Sequence, residues 1–246
     1  MARLPGMRPF LRSIVVPGLG AIAVLAAAGR VARLVGGDDP VEDRPVRALQ
    51  AAFGHRPDDD GAPLEPPAPL EPSEPREPTE PRELLDRVTS SLSWYSGVPQ
   101  TIANGAFWCA VTWWLTRDRR STVAPGAALA LETACFVGSA ALVGRPRPLG
   151  VWRPEQPHAT SSFPSGHTAA AVALHTTLAD LLDRHGVRGA RVLGPVLRYG
   201  IPGGVALSRI YRGQHHISDT VAGALLGRWS AAVVRRELLS TGRPLR

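Results

Sequence analysis

The sequence contains no lysine: its 28 basic side chains are all arginine, set against 21 acids for a formal net charge of +7. Cysteine is scarce as well. Cys109 and Cys135 both sit inside apolar runs, which argues against a disulfide framework and leaves no metal-ligand spacing. Charge is missing from long stretches. Residues 13–29 and 98–116 carry none, 121–144 only Glu132, 192–207 only Arg198, and 220–234 only Arg228. Residues 163–179 contain no Asp, Glu or Arg. The apolar fraction of 44% is that of an ordinary soluble protein, but the average conceals this bunching.

What is present alternates with those runs. Each run is near the roughly 17–25 residues that cross a bilayer, some at the short end. Buried helices of a soluble bundle are equally apolar, so the loops decide between the two readings. Arg3, Arg8 and Arg12 precede the first run, and the sequence "RDRR" occupies 117–120. Arg184, Arg188 and Arg191, and later Arg235, Arg236, Arg243 and Arg246, fall in the alternate connections. The long segment on the other side, 37–97, mixes its arginines with many acids. That distribution is the positive-inside pattern with a cytoplasmic N-terminus. The expected fold is therefore all-α, a polytopic membrane helical bundle of about six transmembrane helices.

Four regions follow. Residues 1–36 form a cytoplasmic N-terminus and first span, or a signal anchor. Residues 37–90 read as a disordered extracytoplasmic linker, rich in proline and glutamate. Its Glu-Pro repeat has a period of three from Glu71 to Pro81, which favours a solvated polyproline II spacer. A short amphipathic helix over 83–95 leads to Trp94 and Tyr95, an aromatic pair suited to a membrane interface. Residues 91–236 are the helical membrane domain, and 237–246 a cytoplasmic tail.

Three polar stretches share the outer face in this topology: "GRPRP" at 144–148, "SFPSGHTAAA" at 162–171 and "SRIYRGQHHISD" at 208–219. The second opens an apolar run with proline, serine, glycine and histidine. A helix N-terminus has unpaired N–H groups and a partial positive charge, and so attracts anions. Glycine lets a ligand approach the backbone, although a serine-glycine helix start is more often a simple cap. In the third stretch, His215 and Asp219 are four residues apart, on one face of a helix start. A carboxylate there can accept the Nδ1–H of the imidazole and leave Nε2 free to attack. Arg147 and Arg209 offer planar forks suited to phosphate oxygens.

Together, "RP", "PSGH" and "SR-x5-H-x3-D" resemble the signature of the type 2 phosphatidic acid phosphatase superfamily. That superfamily includes lipid phosphate phosphatases, polyprenyl-diphosphate phosphatases and vanadium haloperoxidases. The resemblance covers about residues 98–236, with Pro164, Ser165, Gly166, His167, Ser208, Arg209, His215 and Asp219 at the motif positions. It implies a metal-free site without a cofactor. His215 is then the nucleophile, Asp219 its partner, and His167 the acid for the leaving oxygen. Arg147, Ser165, Gly166, Arg209, Ser208 and Arg145 would hold the phosphate. The implied partners are a lipid phosphate or polyprenyl diphosphate substrate and the bilayer, not nucleic acid. The site faces outward from a multi-pass protein of the cell membrane.

One position departs from the family pattern. The first motif begins with a lysine seven residues before Arg-Pro, and Ala140 stands there. Losing one transition-state donor can cost roughly 10²–10³ in rate. Arg145 and Arg153 are the candidates to replace it, and a weakened lipid-phosphate binder is one alternative reading. A vanadate-dependent haloperoxidase is the other, and a metal site built from His167, His215, His216 and Asp219 is disfavoured by the converging arginines. His216 reads as a neighbour of the nucleophile, and His158 and His175 as ordinary core or surface residues. Glu132 is expected to pair with Arg198 or Arg228 inside the bundle, since an unpaired charge there is costly.

Overall fold

The computed structural model describes residues 11–36, 42–55, 80–154 and 160–240. Every regular element among them is helical. A π-helical turn, Leu11–Val15, leads into α1 (Val16–Gly36). The short α2 (Asp43–Ala52) and α3 (Glu80–Tyr95) follow, then α4 (Val98–Thr116) and α5 (Arg119–Val143). After the first two motifs comes α6 (Gly166–Arg184). Next, α7 (Ala190–Pro195), a π-helical turn Val196–Gly200 and α8 (Ile201–Tyr211) run on without a break. The last helix is α9 (Ile217–Val234), extended by a π-helical turn Arg235–Leu239.

The core forms around α6. An unbroken run from Thr168 to Ala179 is buried, so this helix is surrounded by protein on all sides. Its alanines allow close neighbours. Cβ atoms added at Gly223 and Gly227 of α9 would collide with the backbone carbonyls of Ser165 and Ala169. This Gly-x-x-x-Gly spacing lets α9 lie directly on α6, as small residues do between membrane helices. It also locks the start of α9, which carries His215 and Asp219, against the start of α6, which carries Ser165 and His167. On the other side α1 packs on α5, and Ala26 of α1, Val143 of α5, Phe163 and Ala222 of α9 form one buried cluster.

The two ends of the bundle differ in chemistry. One collects the C-terminus of α5, the N-termini of α6 and α9 and the C-terminus of α8; these carry all three motifs. At the opposite end Asp118 caps α5, and Ser121 bonds His185 at the end of α6 (2.9 Å). There Arg184 bridges to Asp118 (3.3 Å) and donates to the Leu239 carbonyl. Arg236 donates to the Ser13 carbonyl (3.2 Å), which brings the start of α1 to this same end. The arginine-rich connections thus share one end and the motifs the other.

Many large apolar side chains face outward. Leu19, Val24, Ile102, Trp114, Leu142 and Leu225 are all exposed, a belt that water would not tolerate but lipid would. Two helical stretches, Arg12–Leu34 and Arg119–Val143, are long and apolar enough to cross a membrane by length and composition. The other expected spans are helical too. The 192–207 run lies within the continuous 190–211 stretch, broken in register near Pro195 and Pro202.

Three expectations are corrected. Residues 43–52 are a helix where a disordered linker over 37–90 was expected, and the helix expected over 83–95 begins at Glu80. Asp43 opens α2, Pro45 fits its first turn, and Gly54 follows it at a φ of +80°. Asp43, Val46 and Gln50 form its buried face. Gln50 donates to the carbonyls of Trp152 (2.8 Å) and Tyr211 (2.7 Å) and accepts from the Trp152 N–H (2.8 Å), so a polar side chain anchors the helix. The Glu-Pro repeat up to Thr79 and His158 lie outside the described residues. Glu132 pairs with neither arginine. It is buried and accepts from the Thr133 hydroxyl (3.2 Å), while Arg198 forks onto Asp180 and Asp183 and Arg228 is exposed. Only half of the aromatic pair is outward. Trp94 is exposed, but the Tyr95 hydroxyl turns in to His175 Nε2 (3.0 Å).

Candidate active site

The segment 160–165 stitches the motifs together. Ser162 N–H donates to the Arg145 carbonyl (2.9 Å) and its hydroxyl to the Pro146 carbonyl (2.7 Å). Arg145 N–H donates to the Ser161 hydroxyl (3.0 Å). Ser165 N–H donates to the Asp219 carbonyl (2.9 Å), which joins the second motif to the third. The first helical bond of α6 is Ala169 N–H to the Ser165 carbonyl (3.0 Å). The Gly166, His167 and Thr168 N–H groups therefore stand at the helix end, where anions bind. His167 is half-buried in that first turn.

His215 is buried, and its Nδ1 is 2.8 Å from the Ser162 carbonyl oxygen. A carbonyl can only accept, so Nδ1 carries the hydrogen and the Nε2 lone pair points away. Nε2 faces an Arg147 NH group at 3.4 Å. Arg147 also donates to the Gln214 carbonyl (2.6 Å), and its buried Nε has no hydrogen-bond acceptor. Arg209 is buried and donates to the Ser93 hydroxyl of α3. The nucleophile candidate and a phosphate-type fork thus stand face to face.

Asp219 is not the first partner of His215. Its Oδ2 is 3.7 Å from Nδ1, beyond the Ser162 carbonyl. That oxygen instead accepts from the His216 N–H (2.9 Å) and His216 Nδ1 (3.0 Å), a capping box at the start of α9. Oδ1 accepts from Arg145 at 2.6 Å. Arg145 is therefore not available as the phosphate fork expected from sequence. Its buried guanidinium is committed to Asp219, to the Ser218 hydroxyl (2.7 Å) and to Glu42 (3.1 Å). The reason is position: Gly144 ends α5 in the left-handed region, and the next residue turns in under α9. The Ser208 hydroxyl also turns away, onto its own helix at the Val205 carbonyl (2.8 Å). The Ser165 hydroxyl shares a hydrogen bond with Thr168 (3.0 Å).

Residues 121–238, which hold all three motifs, match the PAP2 superfamily. The likeness to that family lies in this stretch, just under half of the chain. Among solved structures it is similar to a transmembrane PAP2-type phosphatidylglycerolphosphate phosphatase from Bacillus subtilis. That pair has a TM-score of 0.64 at 16% identity, over 93% of this chain and 97% of the other. A second similar structure is Aquifex aeolicus LpxE, with a TM-score of 0.51 at 23% identity, over 62% and 86% of the two chains. At these identities the likeness is one of fold. No curated protein matches the sequence.

Burial shapes the electrostatics of this site. Loss of water around His215 pushes its imidazolium down to about 4, against the opposing pull of Asp219, and nearby Arg209 and Arg147 push the same way. Burial also lowers Arg147, with a further push from Arg153. His215 is thus neutral at neutral pH, with its Nε2 lone pair towards Arg147. The acid limb of kcat/KM, corrected for the second ionisation of the substrate phosphate, is expected near pH 4 rather than near the ordinary histidine value of about 6.5. A limb at the ordinary value that survives that correction contradicts this environment.

Sequence reasoning missed Glu42, Asp43, Ser93 and Ser162, all of which touch site residues. Ser162 carried a signal by its adjacency to "FPSGH", and Asp43 one as a helix start; Glu42 and Ser93 carried none.

Proposed function

We propose that this protein is a membrane-embedded phosphatase that hydrolyses a lipid phosphate or polyprenyl diphosphate through a phosphohistidine. The observation that carries the reading is the neutral, Nδ1-anchored His215 with its Nε2 directed at Arg147. Nε2 attacks phosphorus, and the bond to the lipid oxygen breaks as His167 gives that oxygen a proton. The ring becomes cationic while keeping its Nδ1–H, and Asp219 at 3.7 Å offsets that charge. Water then attacks phosphorus, His167 takes its proton, and the N–P bond breaks to release phosphate. Arg147, Arg209 and the Gly166 N–H hold the equatorial oxygens, whose charge the transition state spreads. No metal is required in this scheme.

About six spans and an outward-facing site complete the reading, supported by the arginines gathered at the end opposite the motifs. The test is phosphate release by the purified protein from phosphatidic acid, a polyprenyl diphosphate and phosphatidylglycerol phosphate. Vanadate, which copies the five-coordinate transition state, is expected to inhibit at low concentration, and EDTA to have no effect. Loss of activity in EDTA with recovery on adding magnesium overturns the metal-free mechanism. A Ser73→Cys variant lacking Cys109 and Cys135 is expected to react with an impermeant maleimide in intact cells; reaction only after permeabilisation overturns the topology.

A further inference from the structure

His216 lies in the site but belongs to none of the roles above. It is one of the most deeply buried large side chains of the protein. Each of its ring nitrogens faces a carboxylate: Nδ1 is 3.0 Å from Asp219 Oδ2, and Nε2 is 2.9 Å from Asp43 Oδ1. The second contact is close but out of line for a hydrogen bond, and both of its atoms are fully buried. Asp43 is held by α2, where its other oxygen accepts the Leu149 N–H (3.2 Å). The preceding residue, Glu42, accepts from Arg145 (3.1 Å) and Ser218 (2.6 Å). Asp219 is thereby gripped at Oδ1 by Arg145 and at Oδ2 by His216, and each gripping residue is itself backed by an acid from the start of α2.

From this chain of contacts we infer that Asp43 is a positioning residue for the nucleophile, acting through His216 and Asp219. The inference rests on the phosphohistidine reading of His215. Its physical basis is the identity of the His216 donor. Carboxylate oxygens only accept, so His216 steadies Asp219 only while Nδ1 presents its hydrogen. Asp43 occupies the Nε2 side and fixes the ring plane. Without Asp43, the ring is free to turn away from Asp219, and the carboxylate then shifts beneath His215. Asp219 meets its catalytic demand only after His215 turns cationic, so the loss falls on turnover and not on substrate binding.

The test compares kcat and KM in Asp43→Ala, His216→Ala, the double variant and Gln50→Ala, with His215→Ala as reference. A misplacement near 1 Å costs about 100-fold in rate. Asp43→Ala is expected to lose about that in kcat with KM within about threefold, and the double variant to lose no more than the worse single one. Gln50 anchors the same helix without touching a site group, so Gln50→Ala is expected to lower the unfolding temperature while kcat stays within about threefold. Asp43→Asn, which keeps the size and polar contact of the side chain against Nε2, is expected to recover most of the turnover. The inference is overturned by a wild-type kcat in Asp43→Ala, by additive losses in the double variant, or by a Gln50→Ala loss equal to that of Asp43→Ala. If Asp43→Ala fails to fold, the His216→Ala kcat and the Asp43→Asn rescue decide it. An active His215→Ala enzyme refutes the phosphohistidine reading itself, which is a separate result.

Discussion

His215→Ala is expected to abolish phosphate release, with kcat reduced by about 10⁵–10⁶, the scale seen when a nucleophile is deleted from a site whose parts act as a unit. The geometry offers no substitute. His216 is adjacent in sequence, yet both of its ring nitrogens face carboxylates and it is fully enclosed. His167 stands in the first turn of α6, where it serves the leaving oxygen. His167→Ala separates the two halves of the reaction. With a lipid leaving group it is expected to lose about 10²–10⁴, the usual range for general acid–base catalysis. A nitrophenyl phosphate, whose leaving group needs no proton, recovers the first step in that variant but not the second. Release by His215→Ala within tenfold of wild type would remove the nucleophile from this account.

The second large effect separates two arginines that look alike in sequence. Arg145→Ala is expected to cost stability, and Arg147→Ala turnover. Arg145 is 4% exposed and bridges Asp219 and Glu42. Deleting one partner of such a buried pair leaves a carboxylate without compensation, at a cost of about 3–5 kcal/mol. The variant is therefore expected to unfold at markedly lower temperature in detergent. Arg147 faces Nε2 and contacts a backbone carbonyl but no acid. Arg147→Ala is expected to keep its unfolding temperature and lose about 10²–10³ in kcat, as for one oxyanion donor. Ala140→Lys, which restores the family lysine, is expected not to rescue Arg145→Ala. An Arg145→Ala protein with wild-type stability, low turnover and rescue by Ala140→Lys would return Arg145 to the phosphate.

The bundle and the motif residues were legible because they follow from strong local signals. Uncharged runs marked helices, and the "PSGH" proline and glycine marked the start of α6. Spacing alone put His215 and Asp219 at one helix start. Contacts between distant segments were not legible. Nothing local distinguishes Arg145 from Arg147, and their separation comes from the turn at Gly144 and the approach of Glu42 from 103 residues away. The α2 helix was overlooked because its acids and prolines blend into the linker composition. Its Asp43 start, early Pro45 and trailing Gly54 were nevertheless present as boundary signals. The Ser162 carbonyl replaces Asp219 at Nδ1 through backbone geometry, which residue types do not encode. Glu132 illustrates the same limit, since its buried place says nothing about which charge comes near.

The most direct measurement is rapid acid-free quenching of turnover with a ³²P-labelled lipid phosphate in EDTA, followed by peptide mapping. The account predicts a labelled peptide containing His215, stable to alkali and labile to acid, that accumulates in His167→Ala turning over ³²P-labelled nitrophenyl phosphate and is absent from His215→Ala. Turnover without any labelled protein, or label on another residue, would contradict it.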